Sequence, residues 1–171
     1  MAPEPEILLS ASRFRVERRW QTLPNGQLRQ REVVVHPGAV VIVPMLDDGR
    51  ICLIENYRVA VEQTLIELPA GTIDPGEDPA VTAERELSEE TGYRAGQIQK
   101  LGEFFMSPGI LNERMHVYLA KDLTPGPTAL ESGEQITSRL TTLEEALAMI
   151  DRGEIVDAKT LAALLLYQRQ G

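Results

Sequence analysis

The segment from Asp78 to Gly92 carries both a start and a stop for a helix, and the rest of the chain has to be arranged around it. The Asp78 carboxylate can accept an orphan backbone N–H, Pro79 suits the first helical position because its missing N–H costs nothing there, and Gly92 is a left-handed terminator. Between them Ala80, Ala83 and Leu87 lie three and four apart, which gives the helix a single apolar face. Such a helix needs a sheet or another helix to cover that face.

The flanking sequence supplies strands. Phe14-Arg15-Val16 alternates, Leu23-Pro24-Asn25-Gly26-Gln27 reads as a hairpin turn, and Arg31 to Val35 resumes an extended, β-branched run, so a small N-terminal sheet is expected behind a frayed start. After His36-Pro37-Gly38, the apolar runs Ala39 to Pro44 and Ile51 to Glu55 enclose Asp47-Asp48-Gly49 and read as a second hairpin of buried strands. Further strands are expected at Leu65 to Leu68, Leu101 to Phe105, Arg114 to Ala120 and Ile136 to Leu140. Thr142 with Glu145 forms a capping box for a helix to about Asp151, and Asp157 to Gln168 reads as a last amphipathic helix. Strands interleaved with two or three helices argue for an α/β or α+β sandwich.

Composition limits the partners. A net charge of −9 opposes non-specific binding to nucleic acid or anionic lipid, so an enzyme of this charge acting on phosphates needs bridging cations. At 171 residues and 43% hydrophobic content the chain suits one globular domain with a small terminal extension. No run approaches the roughly 18 apolar residues of a membrane span, and the start MAPEPEILLS lacks the form of a signal peptide. The single cysteine, Cys52, excludes an intramolecular disulfide and reads as a small buried hydrophobe, so a cytoplasmic setting is expected.

Glu86, Glu89 and Glu90 stand at i, i+3 and i+4, so on a helix their carboxylates share one face. Their mutual repulsion, about a few tenths of a kcal/mol per pair, is tolerable on a wet surface and useful only with a cation. Hard oxygen donors so clustered suit Mg²⁺ or Mn²⁺. Taken alone, the cluster reads as a solvated helix face.

The wider spacing is more specific. Gly71, Glu77, Arg85-Glu86-Leu87, Glu89-Glu90 and Gly92-Tyr93 reproduce G-x5-E-x7-R-E-U-x-E-E-x-G-U, with U apolar, at every fixed position. This resembles the Nudix family of diphosphate hydrolases. The resemblance implies an α/β/α sandwich with a mixed sheet, plus the small N-terminal antiparallel sheet. It implies Glu86 and Glu90 as chief Mg²⁺ ligands, Glu89 as a ligand or catalytic helper, and two or three ions per site with Mn²⁺ a possible substitute. Arg85 would orient the carboxylates, Glu77 would brace the loop, Gly71 would allow backbone turns that a Cβ obstructs, and Gly92 would close the helix. In Leu68-Pro69-Ala70, which resembles the family's approach to this motif, the Ala70 carbonyl would add a metal ligand.

Ser107-Pro108-Gly109, with Pro108 fifteen positions past Tyr93 and Glu113 following, resembles the ADP-ribose pyrophosphatase branch. By that resemblance Ser107, Pro108 and Glu113 are substrate-binding candidates. Arg58, twelve positions before Ala70, matches a branch arginine that holds the diphosphate. Arg31 and Trp20 are candidate nucleotide contacts from the N-terminal strands, an indole being able to stack on a base. One departure stands out: the branch often carries an aromatic after Ser-Pro-Gly, where this chain has Ile110.

Members of the branch exchange N-terminal strands within a homodimer, so residues 1–37 are expected to form a dimerising sheet and 38–171 the hydrolase domain. The implied reaction is hydrolysis of ADP-ribose to AMP and ribose 5-phosphate by an activated water. Glu134, in a loop just before an apolar strand, resembles a family glutamate that positions that water or takes its proton. Glu131 and Glu113 are its rivals. The alternatives are another nucleoside diphosphate derivative as substrate, such as GDP-mannose, FAD or NADH, and a non-catalytic sensor of ADP-ribose-like ligands. The intact acidic triad argues against the sensor, because such a triad would only repel an anionic ligand. His36 and His116 sit in strand contexts and read as packing residues.

Overall fold

A computed structural model describes residues 2–130, 133 and 135–170. Strands β1 (Glu6–Ser10), β2 (Arg15–Thr22) and β3 (Leu28–Val35) form an antiparallel N-terminal sheet in the order β1-β2-β3. Its β2–β3 turn closes with Leu23 N–H donating to the Gln27 carbonyl at 2.8 Å, and Gly26 takes φ 80°. Strand β1 was not among the expected strands, and it begins just after the few residues around Pro3 and Pro5 where fraying was expected. Every residue of it is exposed, so no burial pattern marks it in the sequence.

The main body holds two more sheets. β4 (Ala39–Pro44) lies between β7 (Ala70–Thr72), antiparallel, and β9 (Arg114–Pro125), parallel, with β8 (Tyr93–Phe105) beyond β9. β5 (Arg50–Arg58) lies between β10 (Ile136–Thr142) and β6 (Gln63–Glu67). The runs expected to pair as a second hairpin therefore sit in different sheets, with an isolated Met45–Ile51 bridge between them next to the turn. Both edges of β4 are already taken by β7 and β9, so β5 finds its partners elsewhere. The turn between them does form, with Gly49 at φ 83°.

All six residues of β4 are buried, and the five from Ala39 to Val43 divide between two cores. Ala39, Val41 and Val43 pack with β5, β9, α2 (Leu143–Asp151) and α3 (Ala158–Gln168). Val40 and Ile42 pack with α1 (Pro79–Thr91) through Ala83 and Leu87. A helix–sheet–helix layering around a mixed sheet results, with α1 on one side and α2 and α3 on the other. A fully buried leucine such as Leu87 contributes about 1.5–3 kcal/mol through burial.

The helix ends follow the side chains that signalled them. Asp78 accepts from Ala80 N–H at 2.8 Å, Thr142 from Glu145 N–H at 3.1 Å and Asp157 from Thr160 N–H at 3.0 Å. Gly92 takes φ 75° and its N–H donates to the Ser88 carbonyl, while a Cβ there would overlap the Gly126 carbonyl oxygen. β8 begins eight residues earlier than expected because it is an edge strand. Arg94, Gln97, Gln99 and Lys100 can face water there while their backbone pairs with β9.

Candidate active site

The cleft opens beside β7, all three residues of which line it. It encloses about 480 Å³, and its walls include Arg13, Arg58, Ala70, Gly71, Glu86 and Glu90. Two structural facts bring the acids there. The apolar stripe of α1 faces β4 and β9, which turns Glu86, Glu89 and Glu90 toward the loop running up from β6. Ala70, opposite Val41 on β4, lies at the rim of that loop and donates its N–H to Glu90 Oε2 at 2.9 Å.

Arg85 is the hub of the acidic wall. Its Nη1 donates to Glu86 Oε1 at 2.8 Å and to Glu89 Oε2 at 3.0 Å, and its Nη2 reaches Glu77 Oε2 at 3.2 Å. The hydrogen bonds to Glu77, with the charge of Glu86 and the hydrogen bonds to Glu86 and Glu89, hold the guanidinium pKa above its ordinary value, although burial opposes this. In return Arg85, aided by Thr82 and the Asp74 N–H, holds the Glu77 carboxyl below the usual range, although burial opposes this. Glu77 thereby ties the loop to the helix, receiving the Thr82 hydroxyl at 2.8 Å.

Gly71 is needed for a different reason from the one its sequence context suggests. Its φ is not in the left-handed region; instead, a Cβ there would overlap the carboxyl group of Glu86. The glycine leaves room for a carboxylate rather than for an unusual backbone turn.

Glu86, Glu89, Glu90 and the Ala70 carbonyl offer only hard oxygen donors. That suits Mg²⁺, which is held by one or two carboxylates and completes its shell with water and substrate phosphate. No three His, Cys, Asp or Glu side chains among the described residues converge into a tight metal group, because Arg85 lies between Glu86 and Glu89 while Glu90 turns to the Ala70 N–H. The donor set fits a cation that brings its own water and phosphate ligands better than an all-protein cage.

Arg58, at the end of β5, also lines the cleft and makes a two-pronged pair with Glu67 at 2.8 and 2.6 Å. Glu113 also lines the cleft, its Oε1 at 3.7 Å from His36 Nδ1. Ser107 and Pro108 lie outside this lining, in an exposed turn where the Ser107 carbonyl accepts from Ile110 and Leu111 N–H. Ile110 is exposed too, and its carbonyl receives Val34 N–H at 2.8 Å, stitching the N-terminal sheet to the body. Arg31 and Trp20 sit on β3 and β2, away from the cleft lining of this chain, and Arg31 Nη1 donates to the Gln30 carbonyl. Glu134 and Glu131 lie outside the described residues.

Several cleft residues escaped the sequence reading: Ser12, Arg13, Asp74, Asp157 and Lys159. The string Asp157-Ala158-Lys159-Thr160, a capping residue followed two positions later by a basic one, was a usable signal, whereas Arg13 follows no pattern. His116 keeps a pKa below its ordinary value, mainly through burial. Cys52 is buried and its thiol is pushed up to about 11 by desolvation, so it offers no nucleophile.

An acid-lined helix face set against a β-strand loop, inside a helix–sheet–helix layering, is the arrangement of a Nudix fold. The NUDIX domain profile matches residues 34–164, and the chain belongs to the Nudix family. Hydrolases of this family generally use a divalent metal such as Mg²⁺. The chain is 41% identical over 148 residues to the ADP-ribose pyrophosphatase of Bacillus subtilis (strain 168), covering 85% of this chain and 80% of that protein. It is 43% identical over 150 residues to the methanol dehydrogenase activator of Bacillus methanolicus, covering 86% and 81%. The crystal structure of an ADP compounds hydrolase superposes with a TM-score of 0.87 at 28% identity, over 99% of this chain and 92% of that one. No helix of the described residues is long and apolar enough to cross a membrane.

Proposed function

We propose that this chain hydrolyses the diphosphate linkage of ADP-ribose to AMP and ribose 5-phosphate, using Mg²⁺ at two or three positions, with Mn²⁺ as a possible substitute. The observation that carries this reading is one cleft lined both by the carboxylates of Glu86, Glu89 and Glu90 and by the guanidinium of Arg58. Similarity to an ADP-ribose pyrophosphatase over most of both chains directs the choice of substrate.

In this reading Glu86 and Glu90, with the Ala70 carbonyl, hold the cation, and Glu89 helps. A cation held there would supply charge that draws in the diphosphate oxygens and makes water a better nucleophile. Arg85 keeps the carboxylates aimed, and Arg58 neutralises phosphate charge. Glu113 bounds the substrate from the cleft lining, while Ser107 and Pro108, outside that lining, would reach only a part of the substrate that extends beyond the cleft. Water oxygen attacks one phosphorus, the bridging P–O bond breaks, and the departing phosphate takes the electron pair.

Glu134 takes the proton from the water. The segment leading toward it begins against the catalytic helix, since Ala129 N–H donates to the Glu89 carbonyl at 3.0 Å. Glu134→Gln is expected to lower kcat by about 10² to 10⁴ and leave KM within a few-fold. Retention of more than about a tenth of kcat would pass the role to Glu131 or Glu113.

The N-terminal strands, residues 1–37, are proposed to pair with a second copy, given the exposed Ile7, Leu9, Phe14 and Leu28 on that sheet. Arg31 and Trp20 would then contact nucleotide in the site of a partner subunit, in a cytoplasmic homodimer. Light scattering at micromolar concentration checks the dimer. A substrate panel with Mg²⁺ checks the reaction: ADP-ribose should give a higher kcat/KM than GDP-mannose, FAD or NADH, and a higher value for GDP-mannose would overturn the substrate.

A further inference from the structure

Glu67, the last residue of β6, has a carboxylate fully shielded from solvent beside a cleft meant for anions. A buried carboxylate is costly, and an apolar residue of similar size would fill the space, so its presence needs a reason. Three donors converge on it. Arg58 Nε reaches Oε1 at 2.8 Å, Arg58 Nη2 reaches Oε2 at 2.6 Å, and Lys159 Nζ reaches Oε2 at 2.5 Å.

The anchor extends into α3. Lys159 Nζ also lies 2.9 Å from Asp157 Oδ2. Asp157 accepts the Thr160 hydroxyl at 2.6 Å, and Thr160 Oγ1 accepts Leu68 N–H at 2.8 Å. The first turn of α3 is thus laced to the end of β6, the stretch that delivers Ala70 to the cleft.

A guanidinium is planar and carries five N–H groups in a fixed fork. Pinned along its Nε–Nη2 edge by Glu67, it keeps the Nη1 side for other acceptors, and Arg58 lines the cleft with a side chain 37% exposed. Its freedom is surrendered on folding and not when substrate arrives, which favours binding.

We propose that Glu67 is a positioning residue: it holds Arg58 with its outer guanidinium edge turned to receive diphosphate oxygens, and Lys159 with Asp157 locks that carboxylate to α3. The inference rests on the reading of the chain as a diphosphate hydrolase and adds to it how the arginine is aimed.

The test is a cycle of variants assayed with ADP-ribose at saturating Mg²⁺: wild type, Arg58→Ala, Glu67→Asp and the double variant. Glu67→Asp keeps the charge but draws the paired oxygens back by one methylene. It should raise KM by about tenfold with kcat within about threefold, the signature of lost binding that is uniform along the reaction. In the Arg58→Ala background the same change should add less than about twofold, because a residue acting through Arg58 has nothing left to act on. If Glu67→Asp does not fold, as judged by circular dichroism, Glu67→Gln enters the same cycle. Additive effects, or an unchanged KM in a folded Glu67 variant, would overturn the proposal while the hydrolase reading stands. Absence of wild-type turnover on any nucleoside diphosphate derivative would overturn both, and that is visible before any variant is made.

Discussion

Two ion-pair clusters flank the cleft, and they differ in balance. At α1 and the loop before it, Glu77, Glu86 and Glu89 pair with one guanidinium, Arg85, and Glu90 on the same helix accepts the Ala70 N–H, a formal surplus of three negative charges among these groups. In the second cluster, Glu67 and Asp157 meet Arg58 and Lys159, two against two. The unbalanced cluster borders the cleft, with Arg85 and Glu89 each 30% exposed and Glu86 and the buried Glu90 in its lining, whereas Glu67 is fully shielded and lies outside that lining. A protein can hold surplus charge where water or a cation can reach it; in the interior, charge has to be matched. The first cluster is therefore built for function at some expense of stability, and the second is built for stability in the service of geometry.

That contrast predicts opposite outcomes for activity and stability. Glu86→Gln or Glu90→Gln should cost on the order of 10³ or more in kcat/KM, as expected when several kcal/mol of transition-state charge stabilisation are lost. Neither should lower Tm appreciably, since each removes one charge from a surplus. Removing divalent metal with a chelator should abolish turnover and leave the far-ultraviolet circular dichroism unchanged. A large fall in Tm for Glu86→Gln would show that the acidic face is structural after all.

Lys159→Met attacks the balanced cluster. With Lys159 gone, the buried Glu67 carboxylate and the partly exposed Asp157 carboxylate are left with Arg58 as the remaining cation of the cluster. Breaking a buried pair costs about 3–5 kcal/mol of stability. Denaturant unfolding should show it as a lower midpoint with little change in slope. A loss below about 1 kcal/mol would place this cluster with ordinary surface pairs.

Gly71→Ala sharpens the comparison from the catalytic side. The added Cβ collides with the Glu86 carboxyl and not with backbone, so the flexible side chain gives way and the fold survives. Displacing a carboxylate by about an ångström is enough to cost about 10² in rate. Activity near that of the wild type would mean that Glu86 works equally well from another position.

Much of this was legible in the sequence because it is local. The helix from Pro79 to Thr91, its caps at Asp78 and Gly92, and the shared face of Glu86, Glu89 and Glu90 follow from spacing alone. What was not legible is long-range. Glu67 and Lys159 are 92 positions apart, and neither has an unusual neighbourhood until α3 docks on β6. The same limit misassigned the β4–β5 pairing, since two wholly apolar runs give no alternation to set which edges meet. Gly71 lies between these cases: the need for a glycine was readable, but its cause, the nearby Glu86 carboxyl, depends on how the loop and α1 come together.

The smallest expected effect is a slope with pH. Burial alone would raise the Glu67 carboxyl pKa, but the Arg58 hydrogen bonds and the Lys159 charge outweigh it and hold the group below its ordinary value of 4.5. A carboxylate whose pKa is lower folded than unfolded contributes stability that is fully present above the unfolded value and is lost as pH falls through the folded one. Glu67→Gln cannot titrate, so it lacks this contribution at every pH. The stability gap between wild type and Glu67→Gln should therefore be constant through neutral pH and narrow steadily once the pH drops below about 4.5. Thermal melts of both proteins from pH 7 to pH 3 measure the gap directly, provided both unfold reversibly. A gap that stays constant into the acid range would mean that Glu67 is not held ionised by Arg58 and Lys159, and the balanced cluster would lose its electrostatic basis.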